Sequence, residues 1–584
     1  MARRSRLAAF AVAMAATSGA LQAQVALDLG YVDTGGLAWA RFKGFVDAAV
    51  AGHPGYAFSA TDAATAYRVL GSGAPYCQLA VSLVQAQVDA AVANVAQVPP
   101  VRPDIAGDSY LDVGPMLRDL ALTYDWCAAY TSAGQRAQWA TYANQAVWNV
   151  WNPTAATWYG HAFPWSGWST GDPGNNYYYS FLEATMYWSL AYPAATCNAT
   201  HSQSCQDFLT QQKLPPLVAF FAALPGGGSR EGTGYGLSHM RLFELYRLWR
   251  DASAAHVDLA AASSHLTDSI AWWIHATVPT LDRIAPIGDQ SRVSYPELYD
   301  YHRNVVLQAR AMTADAVARA NASWWLHNIS VPQMVSGFNF RHDLLPAGDA
   351  GVPPAARWYH ASGTGDLFAR TGWDRNAMWF AFRAGTYDQS HAHQDQGSFS
   401  LFARDFLAVT ENVFTHSGIQ QGTDVHNMLR FDQGGSPVPQ HDQTSSTMSV
   451  SEGSNGALLA SADLTPAYGG VAAVGYWHRD LRFARRVLRV HDDFGVASGV
   501  QAVFQLNTPR QPIVSGHTAR AGDLLVRVLA PTDATLSVLD WRSVDNTEFL
   551  DGWKLEVRGS GHEFLVELAD ADVIFIDGVE SPTP

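Results

Sequence analysis

Beyond its first two dozen residues the chain has no apolar run approaching the roughly 20 residues needed to cross a bilayer, so a spanning helix is excluded from its body. It also lacks a basic stripe. Charged residues make up only 15% and the formal net charge is −15, which argues against nucleic acid as a partner. No pair of carboxylates stands out as the acid and base of a glycoside hydrolase. No sequence repeat recurs at a fixed period, so a tetratricopeptide-type solenoid is not supported. Cysteines are few, Cys77, Cys127, Cys197 and Cys205, and their spacing matches no zinc knuckle. Cys197 and Cys205 flank a short polar loop, which predicts a disulfide between them and leaves Cys77 to pair with Cys127.

What is present begins with a leader. Met1-Ala2-Arg3-Arg4-Ser5-Arg6 precedes a short Ala/Val/Leu/Phe run and Gln22-Ala23, the pattern of a secretory signal over residues 1–23. Arg3-Arg4 raises twin-arginine export. Its loss removes three arginines and no acid, taking the charge from −15 to −18. Such a charge disfavours heavily sulfated polyanions and suits a glycan with one carboxylate per repeat. A periplasmic or secreted protein follows, in a compartment where disulfides persist. The 584 residues, 48% of them hydrophobic, exceed one ordinary domain. Aromatics reach 12%, with 20 Trp, a composition suited to stacking sugar rings as well as to large cores.

Periodicity divides the chain. In residues 24–335, Ala-rich stretches with helix spacing recur over 77–97, 134–151, 180–192, 206–223, 236–251, 254–277 and 304–325, separated by Gly/Pro breaks. This predicts a layered α/α array. Beyond a Pro/Gly linker, alternating β-rich runs over 336–584 predict an antiparallel β-sandwich.

Three segments carry chemistry. In Ser390-His391-Ala392-His393-Gln394-Asp395, residues two apart would share one strand face, placing His391, His393 and Asp395 together at a metal or proton-transfer site. Asn175-Asn176-Tyr177 opens a helix with amides that donate to a carboxylate without adding charge. Arg230-Glu231-Gly232-Thr233-Gly234-Tyr235 follows a three-glycine run, and its small residues leave room for a polymer to reach the Tyr235 phenol. His239, four residues on, would share a helical face with Tyr235. Glu411 and His426 follow the histidine segment, and two imidazoles with a carboxylate suit zinc.

In this order the segments resemble the heparinase II/III-like polysaccharide lyases. The likeness covers most of the mature chain. It is carried by Phe368–Asp374, Ala381–Gly385, His391–Phe399 and His426-Asn427, together with Glu231-Gly232-x-Gly234-Tyr235 and Asn175-Asn176. The resemblance implies a multidomain α+β fold, an N-terminal (α/α) incomplete toroid followed by a C-terminal antiparallel β-sandwich. It implies β-elimination on a uronic-acid-containing polysaccharide. Asn176 would neutralise the substrate carboxylate, Tyr235 would act as base, acid or both, and His391 would be the second proton-transfer or neutralising group. Asn175, Tyr177, Glu231, His239 and Arg370 would contact substrate. His393, Glu411 and His426 would hold a structural zinc. Two departures stand out: Tyr177 occupies a position where several relatives have His, and Glu411 one where Asp is common. A uronate C5-epimerase and a non-catalytic glycan-binding protein are the alternatives. Arg230, Arg241, Arg292, Arg370 and Arg383 are available for a basic groove.

Overall fold

The computed structural model describes residues 25–571 apart from 254, 291–294 and 454. The leader and Arg292 therefore lie outside the described residues. From Leu37 to Asn328 the chain is helical apart from a small ribbon of Thr157–Trp158 and His161–Ala162, and from Trp358 onward it forms antiparallel sheets. Both expected disulfides are present, Cys77–Cys127 and Cys197–Cys205. No described helix is long and apolar enough to cross a membrane.

Local chemistry explains where the helices depart from their expected extents. The 206–223 stretch is α-helical at Cys205–Phe208 and Leu214–Ala222, with a π turn at Leu209–Lys213 between them. Pro215 and Pro216 cannot donate to the preceding turn, and the wider π turn accommodates them. The 304–325 stretch is two helices, Asp300–Met312 and Ala316–Asn328. Asp315 starts the second by accepting from the Val317 and Ala318 amides, both at 2.8 Å. The 254–277 stretch becomes an α-helix only at His265.

The helix Asn176–Ala191 is the centre of the helical region. Every residue in it except Tyr177 is buried, so the polar side chains it carries must find partners inside the core. It packs against Val113–Trp126 and Gly236–Ala252. The neighbours approach closely at Gly114, whose amide donates to Ser180 Oγ at 2.9 Å. Within this core Glu183 is paired with Arg118 at 2.6 Å and Arg241 at 3.0 Å.

Among the described residues the strands form two five-stranded sheets and one eight-stranded sheet, with two small two-stranded ribbons. The sheet nearest the helices runs, in spatial order, Trp358–Ala361, Asp366–Arg370, Trp379–Arg383, Phe399–Ala403 and Asp405–Ala408. Its three central strands are buried along their whole length, because both faces are covered. On the helical side, Trp272 Nε1 donates to Asp366 Oδ2 at 3.0 Å and Trp379 Nε1 donates to the His275 carbonyl at 2.9 Å. On the other side, Phe380 meets Phe483 of the eight-stranded sheet at 5.0 Å between ring centroids. Phe431 of the second five-stranded sheet packs on Trp477 of the eight-stranded one at 5.8 Å. The seam between helices and first sheet is where the chemistry-bearing segments meet.

Candidate active site

The segment 390–398 is a turn-rich loop entering the strand Phe399–Ala403, not a strand. The shared face expected for His391, His393 and Asp395 does not form. Asp395 turns to Arg383, at 3.1 Å from its Nε. The two histidines still converge, through a residue the sequence reading missed. Asp289 lies 3.0 Å from His391 Nδ1 with one carboxylate oxygen and 2.9 Å from His393 Nε2 with the other. Gln421 donates to both oxygens at 3.1 Å. Burial opposes ionisation of Asp289, but the hydrogen bonds from His391 and His393 outweigh it and hold its carboxyl below the ordinary value.

Glycines place Asp289. The Thr233 amide donates to the Ile287 carbonyl at 3.0 Å, and the Asp289 amide donates to the His391 carbonyl at 3.0 Å. The 286–290 turn is thus clamped between the Glu231–Tyr235 loop and the histidine loop. A Cβ on Gly234 would stand 2.0 Å from the Asp289 carbonyl oxygen. Gly232, at φ +87°, would bring one to 2.1 Å from that of Ile287.

Tyr235 is the residue immediately before the helix Gly236–Ala252. Its ring stacks on the His391 imidazole, with centroids 3.7 Å apart and planes 16° from parallel. Burial, then the negative charge of Asp289, raise its phenol above the ordinary value, so the hydroxyl is held protonated. With Asp289 at Nδ1, a neutral His391 carries its proton there and leaves Nε2 as a lone pair. Among the described residues Nε2 has no hydrogen-bond partner.

The Asn176 helix meets this group through its N-terminus. Asn175 caps it, accepting from the Tyr177 amide at 3.1 Å, and donates from Nδ2 to Ser390 Oγ at 3.2 Å. The Asn176 amide donates to Glu231 Oε1 at 3.0 Å. A positive helix end carrying the Asn176 side-chain amide is a place for a carboxylate. Tyr177 lies at the rim, its hydroxyl 3.0 Å from Asp108 Oδ1. Burial and that hydrogen bond push its phenol up to about 12.

Other expectations are corrected by placement. His239 faces the helical core: Trp273 Nε1 donates to its Nδ1 at 3.1 Å, and burial pushes its imidazole well below the ordinary value. The helix begins only at Gly236, so Tyr235 and His239 share no face. Arg370 is likewise buried, donating from Nη2 to the carbonyls of Thr277 at 2.7 Å and His275 at 3.1 Å. It ties the first sheet to the end of the helix His265–Ala276 and is not at the substrate site. The remaining described groove arginines face carboxylates: Arg230 pairs with Asp388 at 2.6 Å, Arg241 with Glu183, and Arg383 with Asp366 at 3.0 Å.

The expected zinc ligands do not gather. His393 Nδ1 and His426 Nε2 face each other at 3.2 Å. Glu411 is turned toward Gly552, where a Cβ would stand 2.3 Å from both carboxylate oxygens. Burial raises its carboxyl to about 10, aided by Asp551. Asp289 binds the opposite ring nitrogen of His393 and so cannot join His426 on a shared ion. Two converging donors fall short of the three or four protein ligands zinc takes, and no larger cluster occurs among the described residues.

No protein-family model matches the chain, and no curated protein matches it. Solved structures do. A heparinase III structure aligns over 87% of this chain and 75% of its own, with TM-score 0.57 and 14% identity. The heparan sulfate lyase HepC from Pedobacter heparinus aligns over 87% and 75%, at TM-score 0.54 and 13% identity. Another heparinase III aligns over 93% of this chain and 85% of its own, at TM-score 0.55 and 10% identity. The chain therefore has the mixed α+β fold of the heparinase III structures, in accord with the resemblance in its motifs.

Proposed function

We propose that the protein is a polysaccharide lyase that cleaves a uronic-acid-containing glycan by β-elimination. The observation that carries this reading is the stack of Tyr235 on His391 with Asp289 behind the imidazole, beside an amide-bearing helix end. The likeness to heparinase III supports it at the level of fold. In the reading, the helical region is an incomplete toroid over 24–335 and the sheets of 336–584 are its β-sandwich partner. The paired cysteines support an exported enzyme.

The chemistry follows from charge and proton position. The C5 proton of a uronate is weakly acidic because its removal places a second negative charge on the carboxylate. Asn176, at the helix N-terminus, donates to that carboxylate as charge develops. His391 Nε2 takes the C5 proton, and the imidazolium is stabilised by Asp289. The electron pair forms the C4–C5 double bond as the C4–O bond breaks. Tyr235, protonated beforehand, gives its proton to the leaving oxygen. No step runs through zinc, since the donors expected for it do not converge.

The substrate is a glycan with a single carboxylate per repeat. Each described groove arginine is paired with a carboxylate or donates to backbone carbonyls, which leaves few cations for sulfate. Incubation with a panel of uronate polymers tests the reading. Ultraviolet absorbance of an unsaturated uronate is expected from an unsulfated polymer. Solvent-proton exchange at C5 without absorbance would instead assign an epimerase, and neither signal from any polymer overturns the enzyme reading.

A further inference from the structure

Glu231 is an unused group at the heart of the site. Its side chain is fully buried, with 0% exposure. Oε1 accepts the Asn176 amide at 3.0 Å, but Oε2 has no hydrogen-bond partner among the described residues. The Asn176 side-chain oxygen is also buried and unpartnered. Two lone acceptors on residues already joined by a hydrogen bond are a costly arrangement. A single proton resolves it.

We propose that Glu231 is a positioning residue which acts as a neutral acid, donating from Oε2 to Asn176 Oδ1 and so fixing the amide with its NH2 turned toward the substrate carboxylate. The proposal rests on the lyase reading for its role and on the buried geometry for its existence. Asn has a pseudo-symmetric side chain, and a flipped amide would present an oxygen to an anion. A donor behind the oxygen removes that alternative. An ionised Glu231 could not do so, since a carboxylate only accepts.

The surroundings favour the neutral form. Burial first, with the charges of Asp172 and Asp289 behind it, outweighs the Asn176 amide and brings the Glu231 carboxyl to about 8. The groups facing it are Asp172 ahead of the central helix, Tyr179 on that helix, Tyr235 and Arg241 at and within the next, and Asp289 on the clamped turn. Only Arg241 is cationic, and it is paired with Glu183 at 3.0 Å.

Glu231→Ala and Glu231→Gln separate the possibilities. The glutamine can accept from the Asn176 amide and donate to its side-chain oxygen. Glu231→Ala is expected to lower kcat at least tenfold with little change in KM, because the charge on the substrate carboxylate grows in the transition state. Glu231→Gln is expected to rescue that loss and to abolish the decline of wild-type activity as pH rises through about 8. An inactive Glu231→Gln, with the pH limb unchanged in wild type, would show an ionised catalytic carboxylate and overturn the proposal. Thermal unfolding supplies a readout that does not need a substrate. A raised carboxyl contributes stability that is complete below its unfolded value and lost as pH rises through the folded one. Wild type should therefore lose melting temperature relative to Glu231→Gln between about pH 5 and 9, and Asn176→Ala should remove less stability when Glu231 is already alanine. A flat difference and additive losses would sink the idea, whatever polymer assays reveal.

Discussion

The Tyr235 ring lies flat on the His391 imidazole, centroids 3.7 Å apart. One residue comes from the start of a helix and the other from a loop entering a sheet, so the contact joins the two halves of the chain. It also divides labour: the stacked phenol keeps its proton, while Asp289 occupies His391 Nδ1 and leaves Nε2 without a partner among the described residues.

Tyr235→Phe keeps the stack and deletes the hydroxyl. Turnover should fall by about 10²–10⁴-fold, the usual worth of a positioned proton donor, with the melting temperature unchanged. Initial rates of unsaturated-uronate release check this. Retained turnover would remove Tyr235 from the chemistry.

Asp289→Asn should lower kcat on the order of 10²-fold or more, since the imidazole loses its orienting charge. Stability gives a second readout. A carboxyl lowered in the fold contributes stability that is complete above the ordinary value of about 3.9 and is lost as pH falls through the lowered one. Wild type should thus lose more melting temperature than the variant when titrated below about pH 4.

Metal analysis distinguishes the expected zinc set from the observed geometry. Glu411→Gln should leave the zinc content of the purified protein unchanged, because Glu411 faces Gly552. His393→Ala should leave it unchanged as well, because His393 and His426 offer only two converging donors. Loss of zinc in Glu411→Gln would restore Glu411 as a ligand.

The disulfides should differ in worth. Cys77–Cys127 closes a separation of 50 residues and Cys197–Cys205 one of 8. Loop-closure entropy puts the first at about 4 kcal/mol and the second at about 2.5 kcal/mol. Paired Cys→Ser replacements followed by denaturant unfolding measure both, and the longer loop should cost more.

Most helices and strands were legible because apolar spacing is a local property. The structure departs from the sequence pattern where a side chain's direction depends on something remote. His239 has the right spacing from Tyr235, but the helix starts one residue too late and the imidazole turns to Trp273. Arg370 belongs to the motif by position, yet its guanidinium serves carbonyls at the end of a helix nearly a hundred residues earlier. Asp289 was invisible because Ile287-Gly288-Asp289 reads as an ordinary turn; its one signal is a Gly-Asp pair following an apolar run. Glu411 follows its strand where a ligand was expected, but a short 3-10 turn at Glu411–Phe414 aims it elsewhere.

By itself the sequence determined the division into helical and sheet regions, the two cysteine pairs, and the presence of Asn176, Tyr235 and His391. Those rest on periodicity, short-range turn chemistry and residue identity. Tertiary structure alone decided that one carboxylate bridges two histidines, that Asp395 serves Arg383, and that Glu231 is sealed under the Asn176 helix. Each depends on which segment is pressed against which, and that is set by close backbone approach at Gly232, Gly234 and Gly288 across more than fifty residues of chain.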